Sequence, residues 1–119
     1  MNRAEIKMKL PSLNDYIDAC RTNRYVAAKM KRETEDAIIW FIKRLPKFQD
    51  PVVVHFVWVE ADRKRDPDNI AFAKKFVFDA LVKARKLKDD SQRYVKGFTD
   101  DFRHGKETKL ILFIEEVET

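Results

Sequence analysis

The stretch that most constrains this chain is Val52–Glu60, VVVHFVWVE, set between Asp50-Pro51 and a run of charged residues. Its odd and even positions are both apolar, and β-branched and aromatic residues dominate it. That pattern marks a strand covered on both faces, central in a sheet. The run is too short to span a bilayer, as is Ala37–Ile42, so a soluble, intracellular protein is expected. His55, inside the strand, is expected as a hydrogen-bonded core histidine rather than a metal ligand. Glu60 ends the strand and is read as a solvent-facing glutamate, with a fourth oxygen donor to a nearby acidic cluster as the alternative.

The segment after this strand carries the chemistry. Arg63-Lys64-Arg65 is a basic run, and Asp66-Pro67-Asp68-Asn69 follows it. Pro67 fits the first position of a helix, where a missing N–H costs nothing. Asp66 then falls at the N-cap and Asp68 in the first turn, where backbone N–H groups and the helix dipole favour carboxylates. The spacing of Ile70, Ala73, Val77, Leu81 and Ala84 predicts one continuous helix with those residues as its core stripe. Asp68, Phe72, Lys75 and Asp79 share the opposite face, and Lys74 falls nearer the apolar side. A second acidic pair, Asp89-Asp90, closes the segment. On local grounds alone, capping accounts for Asp66 and Asp68, and a polar loop accounts for Asp89 and Asp90. A divalent cation such as Mg²⁺ needs oxygen donors gathered at one place, and periodicity does not decide whether these acids meet.

Elsewhere the patterning is regular. Glu5–Leu10 alternates and predicts a first strand that ends at Pro11. Ser12 caps a helix running to about Arg21, with Leu13, Tyr16, Ile17 and Cys20 on one side. After a break at Thr22-Asn23-Arg24, a helix is expected from about Val26 to Arg44. Its buried stripe is Ala27, Met30, Thr34, Ala37, Ile38 and Phe41, with Trp40 beside it and Lys29, Lys31, Arg32 and Lys43 opposite. Tyr94–Thr99 reads as a strand with a bulge at Gly97, His104-Gly105 as a hairpin turn, and Lys109–Val117 as the closing strand, paired antiparallel to 94–101. The expected fold is α/β: a single domain over residues 1–119, about four strands in a mixed sheet with packed helices.

Composition narrows the classes. Two glycines and four prolines among 119 residues leave no room for low-complexity tracts, and the single Cys20 permits no intrachain disulfide. Cys20 is expected as a small, at least half-buried helix residue in a reducing compartment, not a catalytic thiol. No signal-peptide core follows Met1, and no Gly-rich phosphate loop, zinc spacing or serine nucleophile motif occurs. The net charge is +5. Lysines and arginines crowd around the acids of residues 63–90, whereas Glu115, Glu116 and Glu118 make the C-terminal end acidic. A basic field around a small acidic cluster suits a metal-dependent enzyme acting on phosphodiesters; a solvated helix face has the same composition.

Arg-Lys-Arg-Asp-Pro-Asp-Asn (63–69), Phe-Asp-Ala-Leu (78–81) and Leu-Lys-Asp-Asp-Ser-Gln (87–92), in that order, resemble the RusA-type Holliday junction resolvases. The likeness is strongest over residues 60–100, and Leu10-Pro11-Ser12-Leu13-Asn14 is similar to that family's N-terminal segment. The resemblance implies a RusA-like endonuclease domain that resolves four-way junctions by paired nicks in DNA recombination and repair. It also implies a homodimer in the cytoplasm of a bacterial or phage-infected cell, of host or prophage origin. It implies Asp66, Asp68 and Asp90 as ligands of Mg²⁺, with Mn²⁺ as a substitute. Counted back from Asp-Ala-Leu, Lys75 is implied as the catalytic lysine, and Arg63, Lys64, Arg65, Asn69 and Lys74 are expected as DNA contacts. One departure is visible: Lys75 lies two turns after Asp68 rather than one, and Phe72 fills the nearer position. Lys74 or an arginine of the basic run is the alternative to Lys75. A non-catalytic branched-DNA-binding module of the same fold, and a basic interaction protein with merely capped helices, are the other readings.

Overall fold

The computed structural model describes residues 1–117. Among these, four strands form one mixed sheet in the order β1-β4-β2-β3, and four helices accompany it. The α/β architecture matches the expectation from patterning. β2 (Val52–Glu60) is central, antiparallel to β4 (Lys109–Glu116) on one side and parallel to β3 (Val95–His104) on the other. β1 (Asn2–Ile6) forms the far edge, antiparallel to β4.

Burial follows the pleat. Val52, Val54, Phe56 and Trp58 of β2 lie on one face with Ala4, Ile6, Leu110, Leu112 and Ile114, all in the core. The opposite face carries Val53, His55, Val57, Ile111 and Phe113, each only half-buried. The reading of His55 as a core residue is therefore corrected. It stands on the less covered face, its Nδ1 2.7 Å from Thr99 Oγ1 and its Nε2 3.4 Å from Glu115 Oε1.

The expected hairpin between the last two strands does not form. β3 and β4 flank β2 instead of each other, and the loop between them crosses the end of β2. Gly105 permits that crossing: its N–H donates to the Glu60 carbonyl at 3.0 Å, and a Cβ there would stand 2.7 Å from Val59 Cγ1. The physical reason is composition. β2 is apolar enough to need a neighbour on both sides. β3, with Lys96, Asp100, Asp101, Arg103 and His104, is too polar for the middle and takes an edge. β3 also runs on to His104 rather than ending at Thr99. The bulge lies at Lys96, next to Gly97, where pairing jumps from Val52↔Val95 to Val53↔Gly97. β1 is shifted from the expected 5–10, because β4 begins at Lys109 and the last pair is Ile6↔Leu110.

Helix α1 (Leu13–Thr22) starts on a capping box, Asp15 N–H to Ser12 Oγ and Ser12 N–H to Asp15 Oδ2, as Ser12 predicted. Ala19, not Cys20, is its buried residue, and Cys20 faces solvent. Helix α2 (Arg24–Ile42) begins two residues early, because Asn23 caps it through the N–H groups of Tyr25 and Val26. Its buried set is Ala27, Thr34, Glu35, Ile38 and Ile42, while Trp40 is exposed under the Lys43 ammonium, 3.5 Å from the ring centre. The continuous helix expected from residue 67 is broken into α3 (Pro67–Ala71) and α4 (Lys74–Lys83). A tightened turn joins them, with Ala73 N–H to the Ile70 carbonyl and Lys75 N–H to the Phe72 carbonyl. At that turn Ala73 is buried in the core, and Phe72 packs its ring against Tyr16 and Phe76. Glu118 of the acidic C-terminal end lies outside the described residues.

Candidate functional site

Asp66 occupies the N-cap of α3 with extended backbone, but its carboxylate makes no capping hydrogen bond. The capping role expected for it is not fulfilled, and an exposed carboxylate stands without local duty. Asp68 Oδ1 accepts only from the N–H of its neighbour Asn69, at 2.9 Å. The Asn69 side chain is engaged elsewhere: its Oδ1 accepts the Asn14 N–H at 3.0 Å and ties α3 to the start of α1.

The two adjacent lysines that open α4 have separate surroundings. Lys74 is turned inward, with only 15% of its side chain exposed, and forms an ion pair with Asp100 of β3. Asp100 also accepts from Trp58 Nε1 at 2.8 Å, and the Lys74 ammonium sits 4.0 Å over the Phe98 ring. Lys75, with 62% of its side chain exposed, points the other way. Its ammonium is 3.0 Å from Asp79 Oδ1 and 3.5 Å from Asp90 Oδ2. The hydrogen bond to Asp79 raises the Lys75 pKa, burial opposes this, and Asp90 adds to the rise. Lys75 is thus a fixed cation at neutral pH and unsuited to act as a base.

Asp90 reaches Lys75 through the way α4 ends. Arg85 takes a left-handed backbone (φ 60°), Lys86 N–H bonds the Leu81 carbonyl at 2.8 Å, and Arg85 N–H bonds that of Val82 at 2.9 Å. This is a Schellman stop with arginine where glycine is usual. It reverses the chain so that Leu87 enters the core and the Asp89-Asp90 loop follows. A non-glycine residue in that conformation stores roughly 1–2 kcal/mol of strain.

Behind Lys75 lies a charge chain that sequence reasoning did not assemble. Lys31 of α2 stands 3.6 Å from Asp79 Oδ2 and 3.9 Å from Glu35 Oε2. Glu35 is 7% exposed, and neither its Oε2 nor Asp79 Oδ2 has a hydrogen-bond partner. Burial pushes the Glu35 carboxyl above its ordinary value; Lys31 counters this and Asp79 reinforces it. The signal was present in the sequence, since Glu35 falls three residues before Ile38 and seven before Ile42, on the buried stripe of α2.

Of the predicted basic contacts, Arg63 and Lys64 are exposed and form no ion pair among the described residues. Arg65 is mostly buried, its Nε 2.8 Å from Glu60 Oε1 and its Nη1 donating to the Leu10 carbonyl at 2.9 Å. Glu60 is therefore neutralised within the protein rather than facing water.

The chemistry of Asp66, Asp68 and Asp90 fits a hard divalent cation: three exposed carboxylates, the first free of capping. Among the described residues, no three Asp, Glu, His or Cys side chains are grouped closely enough to hold an ion. Lys75 and Asp90 meet; Asp66 and Asp68 lie at the start of α3, one short helix away. No helix among the described residues is long and apolar enough to cross a membrane. No protein-family model matches the chain, and no curated protein matches it.

Proposed function

We propose that this protein is a Mg²⁺-dependent, structure-selective DNA endonuclease of the RusA type that resolves four-way junctions by paired nicks, acting in the cytoplasm as a homodimer. The observation that carries the reading is the Lys75 contact with Asp90, two residues 15 positions apart that the resemblance assigns to one site. Asp66, the helix-start acid that does not cap, adds to it. Asp66, Asp68 and Asp90 would hold the cation, which supplies Lewis-acid stabilisation of charge on a scissile phosphate. Lys75, held by Asp79, places a permanent positive charge beside that phosphate. Arg63 and Lys64 contact the DNA backbone. A two-fold dimer presents matched sites to the two strands of a two-fold symmetric junction.

The test is incubation of a labelled mobile four-way junction, beside linear duplex, with Mg²⁺, with Mn²⁺ and with chelator. Symmetric nicks on the junction alone, lost with chelator, are the expected result. A second reading, a non-catalytic branched-DNA-binding module, is motivated by the altered spacing of Lys75 from Asp68. It predicts salt-sensitive junction binding and no product in either metal.

A further inference from the structure

β2 and β3 run parallel, so Glu60 and His104 end side by side. A cleft of about 210 Å³ opens there, lined by the apolar Pro67, Ile70 and Phe102, by the charged Glu60, Asp62, Arg63, Arg65 and Arg103, and by His104. Phe102 faces the same side of the sheet as Phe98, four residues before it, but their surroundings differ. Phe98 packs against the rings of Phe56 and Phe78 under the Lys74 ammonium. Phe102 is 41% exposed and stacks on no other aromatic ring among the described residues. Phe102 thus buries part of its ring against the sheet and leaves the rest open toward the cleft.

The charges around that ring are unequal. Glu60 is paired with Arg65, and Asp62 accepts the Lys64 N–H at 3.0 Å. Arg63 and Arg103 are exposed and form no ion pair among the described residues. Asp62 keeps its charge, so Arg63, Arg65 and Arg103 face Glu60 and Asp62 and the lining is net positive by one charge, while Pro67, Ile70 and Phe102 supply its apolar wall. The cleft is smaller than the roughly 300–1,000 Å³ of drug-sized sites, which suits one planar heterocycle rather than a whole nucleotide. A ring face between cations is the arrangement by which proteins hold unpaired bases of a polyanionic strand.

We propose that this cleft receives one unstacked base of a DNA strand, its ring lying on Phe102 while Arg63 and Arg103 hold the flanking phosphates. The inference rests on the junction-endonuclease reading and deepens it. A continuous duplex offers no free base, whereas a branch point or a single strand does, so the cleft contributes the preference for branched DNA.

The experiment uses the full chain in chelator, so that nothing is cut, with 5-iododeoxyuridine at the branch point of a four-way junction or within a single-stranded oligonucleotide. Ultraviolet cross-linking followed by mass spectrometry is expected to map to Phe102. Phe102→Ala is expected to weaken junction and single-strand binding between about fivefold and a hundredfold. Duplex binding should be unchanged, and Phe102→Trp should restore affinity. Cross-links confined to other residues, or an unaltered junction-to-duplex ratio in Phe102→Ala, overturn the inference and leave the endonuclease reading standing. Absence of binding to any DNA overturns both.

Discussion

Replacing Glu35 with glutamine should stabilise this protein at neutral pH and not at acid pH. Glu35 Oε2 and Asp79 Oδ2 are both buried without a hydrogen bond; Lys31 lies beyond hydrogen-bond reach of them at 3.9 and 3.6 Å, and Asp79 is paired with Lys75 through Oδ1. A buried charged oxygen left unpaired costs on the order of 1–3 kcal/mol. The amide of Glu35→Gln removes one of these charges and with it the repulsion from Asp79. It gives up a long ion pair to a half-exposed lysine, worth about 0.2–1 kcal/mol. The net is a gain of about 1 kcal/mol, or about 3–5 °C in Tm for a domain of this size. The sign of the pH dependence follows from burial, which raises the folded pKa of Glu35 above its ordinary value. Its contribution to stability is complete below about pH 4.5 and is lost as pH rises through the folded value. The variant's advantage should therefore be absent near pH 4 and grow as pH rises through the folded value. Thermal unfolding of both proteins across that range, monitored by circular dichroism, reads the difference directly. A variant no more stable than the parent at pH 8, or a gap that does not change with pH, would refute the reasoning.

Three further outcomes bear on the candidate site. Asp68→Asn should abolish Mg²⁺-dependent junction cleavage while junction binding stays equal or tightens, since one negative charge is removed; retained cleavage sinks the ligand assignment. Lys75→Met should lower the cleavage rate of the folded protein about a hundredfold to a thousandfold, with some loss of stability because Asp79 loses its 3.0 Å partner, and Lys75→Arg should recover part of both. Equal rates in all three proteins would remove Lys75 from the chemistry. Lys74→Met should instead destabilise by about 2–4 kcal/mol, because Asp100 is left as an unpaired, largely buried charge, while the folded fraction keeps its cleavage rate. Loss of cleavage without loss of stability would exchange the roles of the two lysines.

The contrast between Lys74 and Lys75 illustrates how far the sequence reaches. Periodicity placed Lys74 nearer the apolar side and Lys75 with Asp79, and both placements hold. It did not supply Asp100 as the partner of Lys74, because Asp100 belongs to a strand expected to stop at Thr99 and to pair elsewhere. The Ser12 cap, the centrality of β2, Pro67 at the start of α3 and the four-strand count were legible for the same reason. Each depends on residues close in sequence, whose propensities and spacing act locally.

What the sequence by itself determined is therefore the set of elements, their apolar faces, and the clustering of basic and acidic residues between positions 60 and 92. Tertiary structure decided which strands lie beside β2, where the helix after Pro67 breaks, that Asp90 returns to Lys75, and that Glu35 is buried without a partner. These outcomes turn on competition among distant segments for the two edges of one apolar strand and for space against one sheet face. A local pattern states what a segment needs to bury; the partner that satisfies it is settled only when the chain closes on itself.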